Sequence, residues 1–251
     1  MTELQGRTAV VTGAASGIGA AIARRLADEG VRVALLARRE ERLADLAGKI
    51  EANGGRAIAV SADVTSDASV AAAAERIHDA LGRVDLVVNA AGVMLPNPIE
   101  DGRVDEWTRM IDTNVTGVLR VVRAFTADLT EAAAAGSTAD LVNISSIGAH
   151  VLFPNYAVYG ATKAALTQLS ASLRTEFGPK DVRVTNVEPG LTESELGEQI
   201  DNTDLRGQLD QMHDALGPLA ADDIADLVAY VAGRPRNVNL RQIVILPTRQ
   251  A

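Results

Sequence analysis

Tyr156, Tyr159 and Lys163 stand together in YAVYGATK, residues 156–163. On a helix, residues four apart share a face, so Tyr159 neighbours Lys163 while Tyr156 pairs with Gly160. A phenol loses its proton near pH 10 (about its reference value) and is a poor base at neutrality. A nearby cation favours the phenolate by roughly one to three pKa units. The spacing therefore predicts Tyr159 as a proton donor and acceptor tuned by Lys163, with Tyr156 lining a pocket or packing.

A second stretch points to what such a proton could be coupled to. TGAASGIG, residues 12–19, carries Gly13, Gly17 and Gly19 between an apolar run and a helix-like one. Glycines let a backbone turn tightly and approach a pyrophosphate, and a helix start offers unpaired N–H groups and the positive end of its dipole. The spacing is G-x3-G-x-G rather than the commoner G-x-G-x-x-G, so it is the position after a first strand that indicates dinucleotide binding. An acid about 20 residues further on would bind the ribose diol of NAD. Arg38 and Arg39 stand there instead. Two guanidiniums suit a 2′-phosphate, and Arg38 can also stack on adenine, so the expected cofactor is NADP(H). The competing reading makes RREERL a solvated helix start paired internally through Glu40 and Glu41. Asp63 is placed either to accept from the adenine amine or to cap the next helix.

These residues need a frame. Apolar β-rich runs at 8–13, 31–37, 56–63, 83–92, 140–146, 182–190 and 241–246 alternate with helix-patterned segments near 66–82, 103–130, 155–177 and 221–233. Seven strands separated by helices predict a single-domain, α/β, Rossmann-like doubly wound parallel sheet with helices on both faces. No linker-like composition breaks the 251 residues. Residues 191–217 lack a strand but space Leu196, Ile200, Leu205, Leu209 and Met212 helically, predicting either a substrate lid or a helical decoration.

Bulk properties narrow the function classes. A net charge of −9 argues against nucleic acid as the main partner. Cysteine is absent, which removes disulfides and thiolate chemistry. The opening MTELQGR has an acid where a secretory signal needs a basic region, and no apolar run is long enough to span a bilayer, so a soluble, cytoplasmic protein is expected. The three histidines show no ligand spacing, and no catalytic metal is predicted.

Taken in order, TGAASGIG, NAAG (89–92), NVTG (114–117), NISS (143–146), YGATK (159–163) and EPG (188–190) resemble the short-chain dehydrogenase/reductase family in its classical form, over nearly the whole chain. ARREERL and VNLRQIVILPT look more like its NADP-dependent 3-hydroxy acid and clavulanate-type dehydrogenases than like the 3-oxoacyl reductases, whose glycine-rich tail is missing. The resemblance implies an oxidoreductase that interconverts a ketone and a secondary alcohol by direct hydride transfer. Its catalytic set would be Asn114, Ser146, Tyr159 and Lys163. Ser146 lies at the family's usual thirteen residues before the tyrosine, which leaves Ser145 structural. Ser146 would hold the substrate oxygen, Lys163 the nicotinamide ribose, and Asn114 a proton-relaying water; Asn114 is alternatively a helix-bend residue.

The implied cofactor set continues with Ser16 and Ile18 in the glycine loop and Val64 beside Asp63. Asn89, Ala90 and Gly92 would flank the adenosine, and Pro189, Gly190, Thr192 and Ser194 the nicotinamide and phosphates. Ala90 replaces the family's second asparagine. Pocket candidates following the motifs are Val93, Met94, Leu95, Ile147, Val151, Leu152, Phe153, Tyr156 and Leu191, mostly apolar and suited to a carbonyl on a hydrophobic body. His150 is read as a solvated loop residue. Family analogy implies a small-molecule carbonyl or alcohol substrate and a homo-oligomer, tetramer or dimer, built through 103–130 and 155–177; with no spanning apolar run, no membrane partner is expected. The rival class is an NADPH-binding redox sensor without turnover.

Overall fold

A computed structural model describes residues 4–250. Seven strands form one parallel sheet in the order β3-β2-β1-β4-β5-β6-β7. They are β1 (Thr8–Thr12), β2 (Arg32–Ala37), β3 (Arg56–Ser61), β4 (Leu86–Asn89), β5 (Ala139–Ile144), β6 (Val182–Pro189) and β7 (Gln242–Ile245). The helices are α1 (Gly17–Asp28), α2 (Glu40–Ala52), α3 (Asp67–Leu81), α4 (Val104–Ile111), α5 (Gly117–Ala134), α6 (Ala157–Phe177), α7 (Thr203–Leu216) and α8 (Ala221–Ala232). The sheet is parallel because each crossover carries a helix that returns the chain to the same edge.

Strand residues alternate between two apolar layers. Val11, Val33, Leu35 and Val88 face the layer that holds α1, α2 and α8. Val10, Leu36, Val87 and Leu141 face α3, α5 and α6. With both faces covered, the strands are apolar throughout rather than on alternate residues. α1 docks on α8 through Ile22 and Leu26 against Ile224 and Val228, all with no exposed surface. Each such side chain contributes roughly 1.5–3 kcal/mol on burial.

At the amino-terminal edge of the sheet, Asp140 receives Arg183 through both carboxylate oxygens at 2.7 and 2.8 Å, and pairs with Arg7 at 2.9 Å. Arg7 also bonds Asp85 at 2.6 Å. At the opposite edge, strand order reverses between β1 and β4, and the carboxyl ends of the strands open a crevice there. None of the helices among the described residues is long and apolar enough to cross a membrane.

Candidate active site

β1 runs directly into the glycine turn. Gly13 and Gly17 have φ of +70° and +50°, which side-chain-bearing residues rarely adopt. A Cβ on Gly13 would stand 2.8 Å from the Ala91 nitrogen, and one on Gly19 2.4 Å from the Gly13 carbonyl oxygen. The turn thus demands glycine for conformation at one position and for close helix–strand approach at another. Ser16 is the N-cap of α1, yet its hydroxyl makes no capping bond, so the first-turn N–H groups of α1 open toward the crevice without a side-chain acceptor.

One cavity of about 830 Å³ fills the crevice. Of the candidate catalytic and cofactor residues, all but Asn89 and Asn114 line it, as do the pocket candidates Val93, Met94, Ile147, Phe153, Tyr156 and Leu191. Leu95 is buried off the cavity, and Val151 and Leu152 turn to solvent, Leu152 with 95% of its surface exposed. Asn89 points into the sheet, where its side-chain amide donates to Asn143 at 2.9 Å. Its neighbours Ala90 and Ala91 reach the cavity wall, and both of their N–H groups donate to Thr12 Oγ1.

At the end formed by β1, β2 and β3, Arg39 donates to Ser16 Oγ at 2.7 Å. Arg39 and Arg42 are both paired with Glu195, 156 and 153 residues away in sequence, so the run RREERL is tied to the far side of the crevice. Asp63 does not cap α3; Ser66 does, accepting from the Ser69 nitrogen. Asp63 Oδ1 instead accepts from the backbone and hydroxyl of Thr65 at 2.9 and 2.8 Å. Burial alone would raise its pKa, but those bonds and the charges of Arg38 and Arg120 hold it below the usual carboxylate value.

The other end is built by β5 and α6. Ser146 follows β5 in extended backbone, and its Oγ accepts from the Gly148 nitrogen at 3.0 Å. That bond leaves the hydroxyl proton to donate elsewhere. Ser145 is buried and bonded to the Lys163 carbonyl and Thr167. Tyr156 stands at the N-cap position of α6 without a capping bond and lies half-buried, edge-on to the Tyr159 ring with centroids 6.5 Å apart. Tyr159 and Lys163 share the inner face of α6, with the Lys163 ammonium 5.7 Å from the Tyr159 ring centroid. Lys163 Nζ donates to the Ile144 carbonyl at 3.0 Å.

The electrostatics differ from the sequence-based expectation of a lowered tyrosine pKa. Burial dominates both groups. It pushes the Tyr159 phenol up to about 12, with the Ser146 hydroxyl pulling the other way, and brings the Lys163 amine down to about 8. A low-dielectric wall penalises phenolate and ammonium alike, and the cation beside the ring does not offset it.

Asn114 sits in a π-helical turn, Asp112–Thr116, between α4 and α5. Its amide is occupied: Oδ1 accepts from the Val93 nitrogen, and Nδ2 donates to the Val93 carbonyl and to Thr162 Oγ1. A Cβ on Gly92 would touch both Asn114 Oδ1, at 3.4 Å, and Lys163 Nζ, at 3.7 Å. Asn114 therefore clamps the chain after β4 beside the amine.

Several lining residues were not visible in the motifs. Segment 191–217 folds over the crevice as a 3-10 turn (Glu195–Gln199) and α7, placing Arg206, Asp210 and His213 on the wall beside Leu209 and Met212. Gln250 arrives from the end of the chain, its Oε1 accepting from the Leu191 nitrogen at 2.8 Å. His150 is not simply solvated: its Nε2 lies 2.9 and 3.0 Å from the two oxygens of Glu188, which has no exposed surface. Thr167, Asn186 and Gln242 also donate to that carboxylate. Helical periodicity in 191–217 was the one signal pointing to the wall it forms; the polar residues opposite it carried none.

The doubly wound sheet, with the glycine turn after β1 and the crevice at the strands' carboxyl ends, has the Rossmann-like architecture. The family model described as short chain dehydrogenase matches residues 7–205. Sulfoacetaldehyde reductase 2 of Chromohalobacter salexigens is 37% identical over 243 residues, covering 96% of this chain and 94% of the relative. Among solved structures, the closed form of serine dehydrogenase complexed with NADP+ aligns with a TM-score of 0.85 at 30% identity, over 95% of this chain and 94% of the other. A 3-ketoacyl-(acyl-carrier-protein) reductase of Brucella melitensis complexed with NADH aligns with a TM-score of 0.88 at 29% identity, over 99% and 100%. The chain belongs to the short-chain dehydrogenase family.

Proposed function

We propose that the protein is an NADP(H)-dependent oxidoreductase interconverting a ketone and a secondary alcohol, with Tyr159 as the proton donor and acceptor. The observation that supports this best is continuity: one cavity joins Arg38, Arg39 and Ser16 at one end to Ser146 and Tyr159 at the other. The residues fit a dinucleotide through the uncapped start of α1, the glycine turn and the guanidinium donors. When bound, the nicotinamide supplies or accepts hydride.

The chain's own groups account for the proton. Ser146 donates to the substrate oxygen and orients it, its Oγ held in place by the bond it accepts from the Gly148 nitrogen. Tyr159 holds its proton to about pH 12 and so stands ready as an acid at neutrality. Reduction uses that form directly, whereas oxidation requires the phenolate that burial disfavours. Lys163 orients the cofactor ribose, and Asn114 holds the Val93 backbone beside it.

The arginine pair and the NADP+ complex of the serine dehydrogenase support NADP(H). The substrate end combines Met94, Phe153 and Tyr156 with Arg206 and His213. Together with the names of the two small-molecule relatives, this favours a compact polar carbonyl compound over a large hydrophobic one. Val104, Ile111 and Leu119, exposed along α4 and α5, support homo-oligomerisation through these helices. Assaying small ketones and alcohols with NADPH and NADH tests the reading. NADPH is preferred and Arg38→Asp erodes the preference; an unchanged cofactor ratio in that variant refutes the specificity.

A further inference from the structure

The segment that roofs the crevice is fastened by a carboxylate seated among the donors a phosphate would seek. Glu195 opens the 3-10 turn and accepts from Arg39 Nη1 at 2.8 Å and from Arg42 Nη1 in a second, shorter contact. The other amino group of Arg39 donates to Ser16 Oγ. Ser194, one residue earlier, lies against the glycine turn: a Cβ on Gly17 would meet its Cβ at 3.2 Å. Arg39, Ser16 and Glu195 all line the cavity. Burial by itself raises the pKa of Glu195, but the bonds from Arg39 and Arg42 outweigh it and hold the carboxyl below its ordinary value. The group is therefore an anion at neutral pH. Carboxylate and phosphate recruit guanidinium donors with the same fork geometry, so one cluster of two arginines and a hydroxyl cannot serve both fully.

We propose that Glu195 is a built-in competitor of the cofactor's 2′-phosphate and sets how strongly the chain distinguishes NADP(H) from NAD(H). The inference rests on the NADP(H) reading above. A 2′-phosphate takes Arg39, which lines the cavity, from the carboxylate and loosens the 3-10 turn from the glycine loop. A cofactor ending in a 2′-hydroxyl leaves the pairs in place. Part of the phosphate's attraction is thus spent on separating Glu195 from Arg39, and selectivity is lower than Arg38 and Arg39 free of the carboxylate would give.

Calorimetric titration of the full chain with adenosine 2′,5′-bisphosphate, 5′-AMP, NADP+ and NAD+ reads this directly. The proteins are wild type, Glu195→Gln, Glu195→Ala and Arg39→Ala, each checked for an intact thermal transition. Both Glu195 variants bind the 2′-phosphorylated ligands about five-fold tighter, the scale of partly exposed ion pairs, with 5′-AMP and NAD+ unchanged. Arg39→Ala loses the 2′-phosphate preference. If Arg39→Ala behaves so while the Glu195 variants bind 2′-phosphates no better than wild type, the competitor role is overturned and the NADP(H) reading stands. If wild type and Arg39→Ala bind phosphorylated and unphosphorylated ligands alike, the NADP(H) reading falls and the inference with it. Weaker NAD+ binding by Glu195→Gln would make the carboxylate an acceptor for the ribose hydroxyl and overturn competition.

Discussion

Replacing Lys163 by Met should remove a pH-dependent contribution from the stability of the protein. Lys163 is 6% exposed, and burial lowers its pKa from 10.5 to about 8. Below pH 8, the folded and unfolded chains both carry the proton, and the cost of a buried ammonium is fully present. Between pH 8 and 10.5 the folded protein releases the proton while the unfolded chain keeps it, so stability rises with pH across that window. The interval of about 2.5 pKa units corresponds to about 3 kcal/mol. Met keeps the length of the side chain and does not titrate. The expected outcome is that the stability of wild type relative to Lys163→Met climbs by most of that amount between pH 7 and pH 10. Tyr159 contributes the opposite trend, since its raised pKa makes stability fall from pH 10 toward 12, but it is present in both proteins and cancels. Urea unfolding of the two proteins without added nucleotide, at four pH values, measures the difference. A difference that stays flat with pH would refute the claim that burial governs this amine.

Two further predictions concern the frame. Gly13→Ala introduces a Cβ 2.8 Å from the Ala91 nitrogen at a φ of +70°; it should cost about 1–3 kcal/mol in stability and weaken nucleotide binding, read by calorimetry and thermal unfolding. Asp140→Asn strips the buried guanidiniums of Arg7 and Arg183 of their shared carboxylate and should destabilise by about 3–5 kcal/mol. Because that network lies at the opposite edge of the sheet, the nucleotide affinity of the folded variant should be unchanged.

The parts of the site that the sequence revealed are those carried by short-range spacing. The glycine turn after β1, the four-residue offset of Tyr159 and Lys163, and the position of Ser146 at the end of β5 each depend on a few neighbouring residues. The seven strands were legible because each is a compact apolar run between helical patterns. Long-range pairing was not. Arg39 meets a carboxylate 156 residues away, and His150 meets one 38 residues away; nothing in RREERL or in the loop after Ser146 encodes those partners. The direction of the tyrosine pKa was also missed, because burial is set by the walls around α6 and not by the neighbouring cation. Asn89 and Asn114 were placed in the right neighbourhood, but Asn89 donates to Asn143 and the Asn114 amide is bonded to Val93 and Thr162. Polar residues on α7 escaped notice because only the apolar stripe of that helix has a recognisable period.

Proton delivery by Tyr159 is the claim on which the functional account turns. The most direct measurement is single-turnover carbonyl reduction with NADPH bound, comparing wild type, Tyr159→Phe and Tyr156→Phe. Loss of the phenol at 159 should slow reduction by about 10²–10⁴-fold with NADP+ affinity retained, while Tyr156→Phe remains active. Comparable rates in wild type and Tyr159→Phe, or equal losses in the two variants, would contradict it.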